Sequence, residues 1–172
     1  MDILIRPETP ADLPAVREVI DLAFPDKDVA GLAEALRGSA EYIPELALVA
    51  LCDGAVIGHI MFTTSYIDDG DESIPALTLG PLAVQPVRQR QGVGSQLVEH
   101  GLSASRRLGH RIVVLIGHPT YYPRFGFVQA GPLGIEVPLA MSEEGQMVLA
   151  LTPGALDGVR GLVRFSPVVY DA

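Results

Sequence analysis

Leu79 to Leu97, reading LGPLAVQPVRQRQGVGSQL, constrains this 172-residue chain more than any other stretch. An apolar run ending in PLAV meets an arginine- and glutamine-rich turn, and Gly92 and Gly94 then open a run with helical periodicity. Strand, glycine turn and helix N-terminus, in that order, offer free backbone N–H groups and a partial positive charge to an anion, usually a phosphate. The segment Gln89-Arg90-Gln91-Gly92-Val93-Gly94 fits Q/R-x-x-G-x-G/A. Glycines there let the backbone approach a pyrophosphate closely, so that successive N–H groups bond its oxygens. Two rival readings fall. A Walker loop needs a lysine after its last glycine, and the chain's single lysine is Lys27. A dinucleotide fingerprint needs glycine or alanine where Leu97 stands, and the next strand ends at Gly117-His118 without the acid that would bind ribose.

Around this unit the chain reads in order. Asp2 to Arg6 alternates as a first strand, and Thr9 with Asp12 makes a capping box, with Pro10 suited to a first helical position. Leu13, Val16, Ile20 and Ala23 follow at helical spacing, while Pro14 leaves the exact helix start open. A second helix runs from Val29 to about Leu36 and stops at Gly38. Glu45 to Cys52, Asp53-Gly54 and Ala55 to about Tyr66 read as strand, hairpin turn and return strand. Ile74 to Val84 completes a three-stranded meander. Gly80-Pro81 interrupts this third strand, since proline cannot donate to a ladder and the glycine invites a bulge. A helix packing Leu97, Val98, Gly101, Leu102, Ser105 and Leu108 on the sheet ends near Gly109, and His110 to Gly117 is a buried strand. This is a right-handed parallel crossover. The tail carries strands near Gly134–Val137, Met147–Leu151 and Leu162–Val169. Residues 1–172 read as one domain, with a core from about 3 to 128 and a tail, about 129–170, that completes the same sheet.

Composition excludes several classes. With 48 % hydrophobic residues the chain folds, yet no apolar run approaches the ~20 residues of a membrane helix, so no membrane partner is expected. MDILIRPE lacks the basic and apolar regions of a secretion signal. A single cysteine, Cys52, forms no internal disulfide and fits a reducing cytoplasm; within its apolar strand it reads as core. Zinc-cluster spacings are absent, so no metal is expected. The net charge of −9 argues against nucleic acid as a partner. Fifteen of the 21 acids precede Ser73, whereas Ser73 to Arg111 holds Glu99 alone against Arg88, Arg90, Arg106, Arg107 and Arg111. A local basic segment beside a glycine turn points to a small anionic ligand, most directly for Arg88 and Arg90; the other three serve equally well as a solvated helix face.

PLAVQPVRQRQGVGSQL resembles the acetyl-coenzyme A motif of the GNAT acetyltransferases, and YYPRFGF resembles the family's second signature, after the fifth strand. Gly117 to Phe127 is similar to the G-H/D-P-x-Y-Y-x-R-F-G-F run of a small bacterial subgroup. The element order agrees from Ile3 to about Val128. The resemblance implies an α/β (α+β) fold with a mixed, mostly antiparallel sheet of about six to seven strands, flanked by helices, its fourth and fifth strands splayed. It implies acetyl-CoA as cosubstrate, with the backbone of Leu82, Ala83 and Val84 pairing with pantetheine. Gln89 and the N–H groups of Arg90, Gln91, Gly92, Val93, Gly94 and Ser95 would hold the pyrophosphate. Tyr122, four residues before Gly126 of the Gly126-Phe127 pair, falls where the family places a general acid for the leaving thiolate; otherwise it covers the coenzyme as an aromatic. Leu82, beside the bulge, is the candidate backbone oxyanion donor.

The general base is not specified. Many relatives carry a glutamate on the fourth strand, but Ala76-Leu77-Thr78-Leu79 has no carboxylate, so ordered water is the default, with Glu45, His59 and His118 as substitutes; His59 reads equally as a satisfied strand histidine, and His118 as the shaper of a turn before Pro119. The leading expectation is a bacterial, cytoplasmic N-acetyltransferase acting on a primary amine, of a small molecule or a protein, by direct transfer in a ternary complex. Acidic helices framing the acceptor site would favour a cationic amine such as a polyamine, amino sugar or lysine side chain; the same charges serve equally well as ordinary solubilising surface. The alternative is an acyl-CoA-binding sensor without turnover. A nucleic-acid-directed acetyltransferase is disfavoured by the acidity, and the tail strands offer an edge for a homodimer.

Overall fold

A computed structural model describes residues 1–139 and 142–171. β1 (Leu4–Pro7), β2 (Tyr42–Cys52), β3 (Ala55–Asp69) and β4 (Glu72–Val84) pair in succession, each antiparallel to the last. The β2–β3 turn is Asp53-Gly54, both with positive φ (50° and 79°), as a two-residue turn matched to strand twist requires. α3 (Val93–Arg107) carries the chain from β4 to β5 (Ile112–Ile116), which joins β4 in parallel. β8 (Gln146–Ala150) and β6 (Val128–Gln129) extend that side, giving the order β1-β2-β3-β4-β5-β8-β6. β9 (Gly161–Arg164) pairs with Tyr66 to Asp68 of β3 and with β7 (Ile135–Glu136). The sheet therefore has nine strands among the described residues, not six or seven. Two of the added strands, β6 and β7, are only two residues long, too short to leave a period in sequence.

The other helices are α1 (Leu13–Ala23), α2 (Val29–Arg37) and α4 (Pro167–Tyr170). The Thr9–Asp12 box forms as expected: the Thr9 N–H donates to Asp12 Oδ2 at 2.7 Å, and Arg6 donates to the same carboxylate. It caps a 3-10 turn at Pro10–Asp12, and α1 begins at Leu13, which puts Pro14 in the first turn where no helical donor is lost. The strand expected over Leu162–Val169 stops at Arg164, because Ser166-Pro167 starts α4.

Three groups of buried side chains hold the layers together. Phe62, Leu77, Leu79, Leu97 and Val98 join the sheet to α3. Val16, Ile20, Leu36, Val49, Met61 and Ala83 join its other face to α1 and α2. Ile67, Val114, Ile135, Val148 and Val163 build the tail's core. Gly101 gives α3 its close approach: a Cβ there would lie 2.2 Å from Phe62 Cε2.

The interruption of β4 is where the sequence puts it. Ile60 pairs with Leu82 and Phe62 with Leu79, so β4 carries one residue more than β3 across Gly80-Pro81, whose peptide bond is cis. Parallel pairing with β5 covers Leu77 and Thr78 and goes no further. Beyond Thr78 the two strands part, and a fork opens.

Candidate active site

The fork leads into a cavity of about 940 Å³. One side is the turn entering α3. Arg90 and Gly92 both adopt left-handed backbone, with φ of 61° and 86°, and Gly92 caps the helix. The first helical hydrogen bond runs from the Gln96 N–H to the Gly92 carbonyl. The N–H groups of Val93, Gly94 and Ser95 therefore have no carbonyl partner within the helix, and they sit at the positive end of a 15-residue dipole. Gln89, Arg90, Gly92, Gly94 and Ser95 border the cavity, as do Leu82 and Val84 of β4.

The second wall follows β5. A 3-10 turn at Tyr122–Phe125 ends at Gly126 with φ 98° and stacks its aromatics edge to face, Tyr122 against Tyr121 (5.0 Å) and Phe127 (5.8 Å). Gly117 makes room for this, since a Cβ there would lie 2.5 Å from Tyr122 Cε2. Tyr122 is 8 % exposed and lines the cavity; burial, with Tyr121 beside it, pushes its hydroxyl up to about 12. Tyr121 is tied to the first turn of α3 by a 3.0 Å hydrogen bond between its hydroxyl and Ser95 Oγ, and Arg124 lies over its ring at 4.4 Å.

A match to the model of the acetyltransferase (GNAT) domain spans residues 4–130. The chain belongs to the GNAT acetyltransferase family. An Escherichia coli K12 protein called uncharacterized N-acetyltransferase YhbS is 35 % identical over 164 residues, 95 % of this chain and 96 % of that protein. The crystal structure of E. coli YhbS in complex with CoA superimposes with a TM-score of 0.89 at 32 % identity, covering 98 % of this chain and 92 % of that one. A GNAT acetyltransferase from Brucella melitensis in complex with acetyl-CoA gives 0.78 at 31 % identity, with 98 % of each chain covered.

Most residues expected to serve this GNAT enzyme come together at the cavity, with instructive exceptions. The side chains of Ala83 and Val93 are buried in the core, at 2 % and 1 % exposure, so these two offer backbone only. Gln91 turns back to donate to the Val87 carbonyl. Of the two favoured arginines, Arg90 borders the cavity while Arg88 Nη1 lies 3.4 Å from Met1 Sδ. Arg106 donates to the Leu151 carbonyl and Arg107 to Ser103 Oγ, as structural or surface groups would.

Among the substitute bases, His118 lines the cavity, whereas Glu45 opens on a separate depression beside Arg6 and His100. His59 is fully buried. Its Nε2 lies 2.8 Å from Glu8 Oε1, and burial pushes its pKa down, so the neutral ring donates to the carboxylate. Burial alone would raise the Glu8 carboxyl; hydrogen bonds from His59 and Arg37 outweigh it and hold the group at about 2. Arg37 Nε donates to Glu8 Oε2 at 2.6 Å and Tyr42 donates to the same oxygen at 3.0 Å. This four-residue cluster ties the residue that follows β1 to α2, β2 and β3.

The acids of α1 and α2 do not frame an acidic acceptor site. No lining residue of the cavity is Asp or Glu among those described. Instead Arg17 binds Glu34, Arg37 binds Glu8, and Ser166 donates to Glu41. The walls beyond the fork are Phe24, Leu32 and Leu36 from the helices, and Leu139, Phe165 and Val169 from the tail, with Thr63 and Thr78 between them. Sequence reasoning missed this tail contribution entirely. Among the described residues no group of three or more His, Cys, Asp or Glu is placed to hold a metal, and no helix is long and apolar enough to cross a membrane.

Proposed function

We propose that the chain transfers the acetyl group of acetyl-coenzyme A to a primary amine by direct attack within a ternary complex. The observation that carries this reading is that the first turn of α3, the stretch of β4 beyond the fork and Tyr122 all border one cavity. The CoA and acetyl-CoA complexes of the two relatives support the same ligand here. The pyrophosphate takes N–H groups from Arg90 to Ser95, beside Gln89. Beyond Thr78, β4 has no β5 partner, so Leu82, Ala83 and Val84 can pair their backbone with the amides of pantetheine.

The neutral amine attacks the thioester carbonyl, the Leu82 N–H donates to the oxyanion, and the carbon–sulfur bond breaks as Tyr122 protonates the sulfur. A tyrosine held up at about 12 is fully protonated at neutral pH, which suits a donor. The apolar surroundings that raise it also disfavour the thiolate, so the two pKa values move in the same direction. The test is to mix the protein, acetyl-CoA and a broad amine panel, following thiol release and acetylated product by mass. Product formation is expected. Tight coenzyme binding with no product from any amine would replace this reading with that of an acyl-CoA-binding sensor.

A further inference from the structure

We infer that the acceptor is a small primary amine on an apolar body, an alkyl- or aralkylamine with no second cationic group; this rests on the N-acetyltransferase reading above. The cavity is walled by Phe24, Leu32 and Leu36 from the α1–α2 side of the chain and by Leu139, Phe165 and Val169 from its tail side. The two sides are continuous, because Val169 packs against both the α1–α2 core and the tail core. At the fork itself Thr63 and Thr78 face each other across β3 and β4, and Thr78 Oγ1 is buried without a hydrogen-bond partner.

The charged groups on the lining are Arg90 and Arg124, and no carboxylate opposes them among the described residues. A polyamine would place its second ammonium between apolar walls with no carboxylate to pair with it, which is costly in a desolvated site. An amine with one nitrogen avoids this.

The same wall also bears on the missing base. Desolvation disfavours an ammonium and lowers its pKa, so an amine whose body is buried between Leu32 and Val169 gives up its proton more readily. Water can then accept the proton that a strand carboxylate accepts elsewhere. The amine nitrogen forms a bond to the carbonyl carbon and the carbon–sulfur bond breaks. A second proton leaves nitrogen after attack and balances the one taken up by the thiolate.

Linear primary amines from propyl- to hexylamine, assayed on the full chain with acetyl-CoA, should gain about fourfold in kcat/KM per methylene. Hexylamine should exceed 1,6-diaminohexane at least about 100-fold, since the second ammonium finds no partner. Leu32→Asp should reverse that preference and leave coenzyme A affinity unchanged by calorimetry; if it does not fold by circular dichroism, Val169→Asp serves. A flat response to chain length, or a diamine as good as hexylamine, overturns the inference while leaving the enzyme an N-acetyltransferase. So does a gain that follows the length of the acyl donor instead of the amine, which would assign the apolar wall to the thioester. Coenzyme binding with no acetylation of any amine removes the underlying reading and this inference with it.

Discussion

Glu8→Gln should destabilise the protein by about 3 kcal/mol at pH 7. The Glu8 side chain is 2 % exposed and Arg37, its full-charge partner, 14 %. Holding the carboxyl at about 2, against 4.5 for a free glutamate, amounts to roughly 2.5 units, or about 3 kcal/mol at 1.36 kcal/mol per unit. Glutamine keeps the shape but leaves the guanidinium buried without a counter-charge, a change in the range of ~3–5 kcal/mol. For a chain of this size the thermal midpoint should fall by roughly 10 °C.

The pH dependence separates this cause from simple misfit. A depressed carboxyl stabilises the fold above the unfolded pKa of 4.5, and that stability is lost as pH falls toward about 2. His59, pushed down by burial, adds a loss of the same sign from about pH 6.5 downward, so the quantity to follow is the difference between wild type and variant. Urea unfolding followed by circular dichroism at pH 7, 5, 4 and 3 should show a constant gap down to about pH 4.5. Below that it should close by at most about 1.4 kcal/mol per pH unit. Glu8→Gln combined with Arg37→Met should recover part of the loss, because no buried charge is then unpaired. A gap under 1 kcal/mol at pH 7, or one that stays constant from pH 5 to 3, would refute the reasoning.

Tyr122→Phe should lower kcat by about 100-fold or more with little change in coenzyme A affinity; full activity across the pH range would remove the tyrosine from proton transfer. Gly94→Ala puts a Cβ 3.2 Å from the Tyr121 hydroxyl, which must give way along with its bond to Ser95; titration calorimetry should show acetyl-CoA binding weakened about tenfold. Gly101→Ala drives a methyl into the Phe62 ring and should cost ~1–3 kcal/mol in denaturant unfolding, while the properly folded fraction keeps its coenzyme affinity.

What the sequence made legible was local. Asp53-Gly54, Gly80-Pro81 and the turn into α3 announce themselves because proline and glycine restrict or release the backbone at the residue itself. Even so, α3 begins at Val93, one turn ahead of Leu97: Val93 is the buried start of the apolar stripe, while Gly94 and Ser95 in the same turn border the cavity. Contacts between distant residues left no such trace. Glu8 and His59 meet 51 positions apart, and nothing in either neighbourhood signals it. The acidic first half misled for a related reason: composition counts charges but not the faces they occupy. In the fold, Glu8, Asp12 and Glu34 are each spent on an arginine, and the helix faces turned to the cavity are apolar. The Ser166-Pro167 helix start was readable, and would have ended the last strand at the correct place.

The extra residue in β4 ties the fold to the site. Ahead of it, Leu77 and Leu79 point to the α3 side; after it, Leu82 and Val84 do so, and Ala83 faces α1 and α2. A strand alternates strictly, so if Gly80 and Pro81 each took a regular place in the ladder, Leu82 and Val84 would be turned toward the α1 layer and Ala83 toward α3. The β3–β4 ladder resumes at Ile60–Leu82 only because the count has been shifted by one. The shift occurs two residues past the last β4–β5 pair, so the element that restores the core's alternation also marks the point at which the two strands separate. Restored packing on the α3 face and the opening of the cavity therefore begin at neighbouring points of β4, which enters the glycine turn with Val84 on the face where α3 begins. The anion-binding turn is placed at the cavity by the register of the sheet, not by the glycine motif alone.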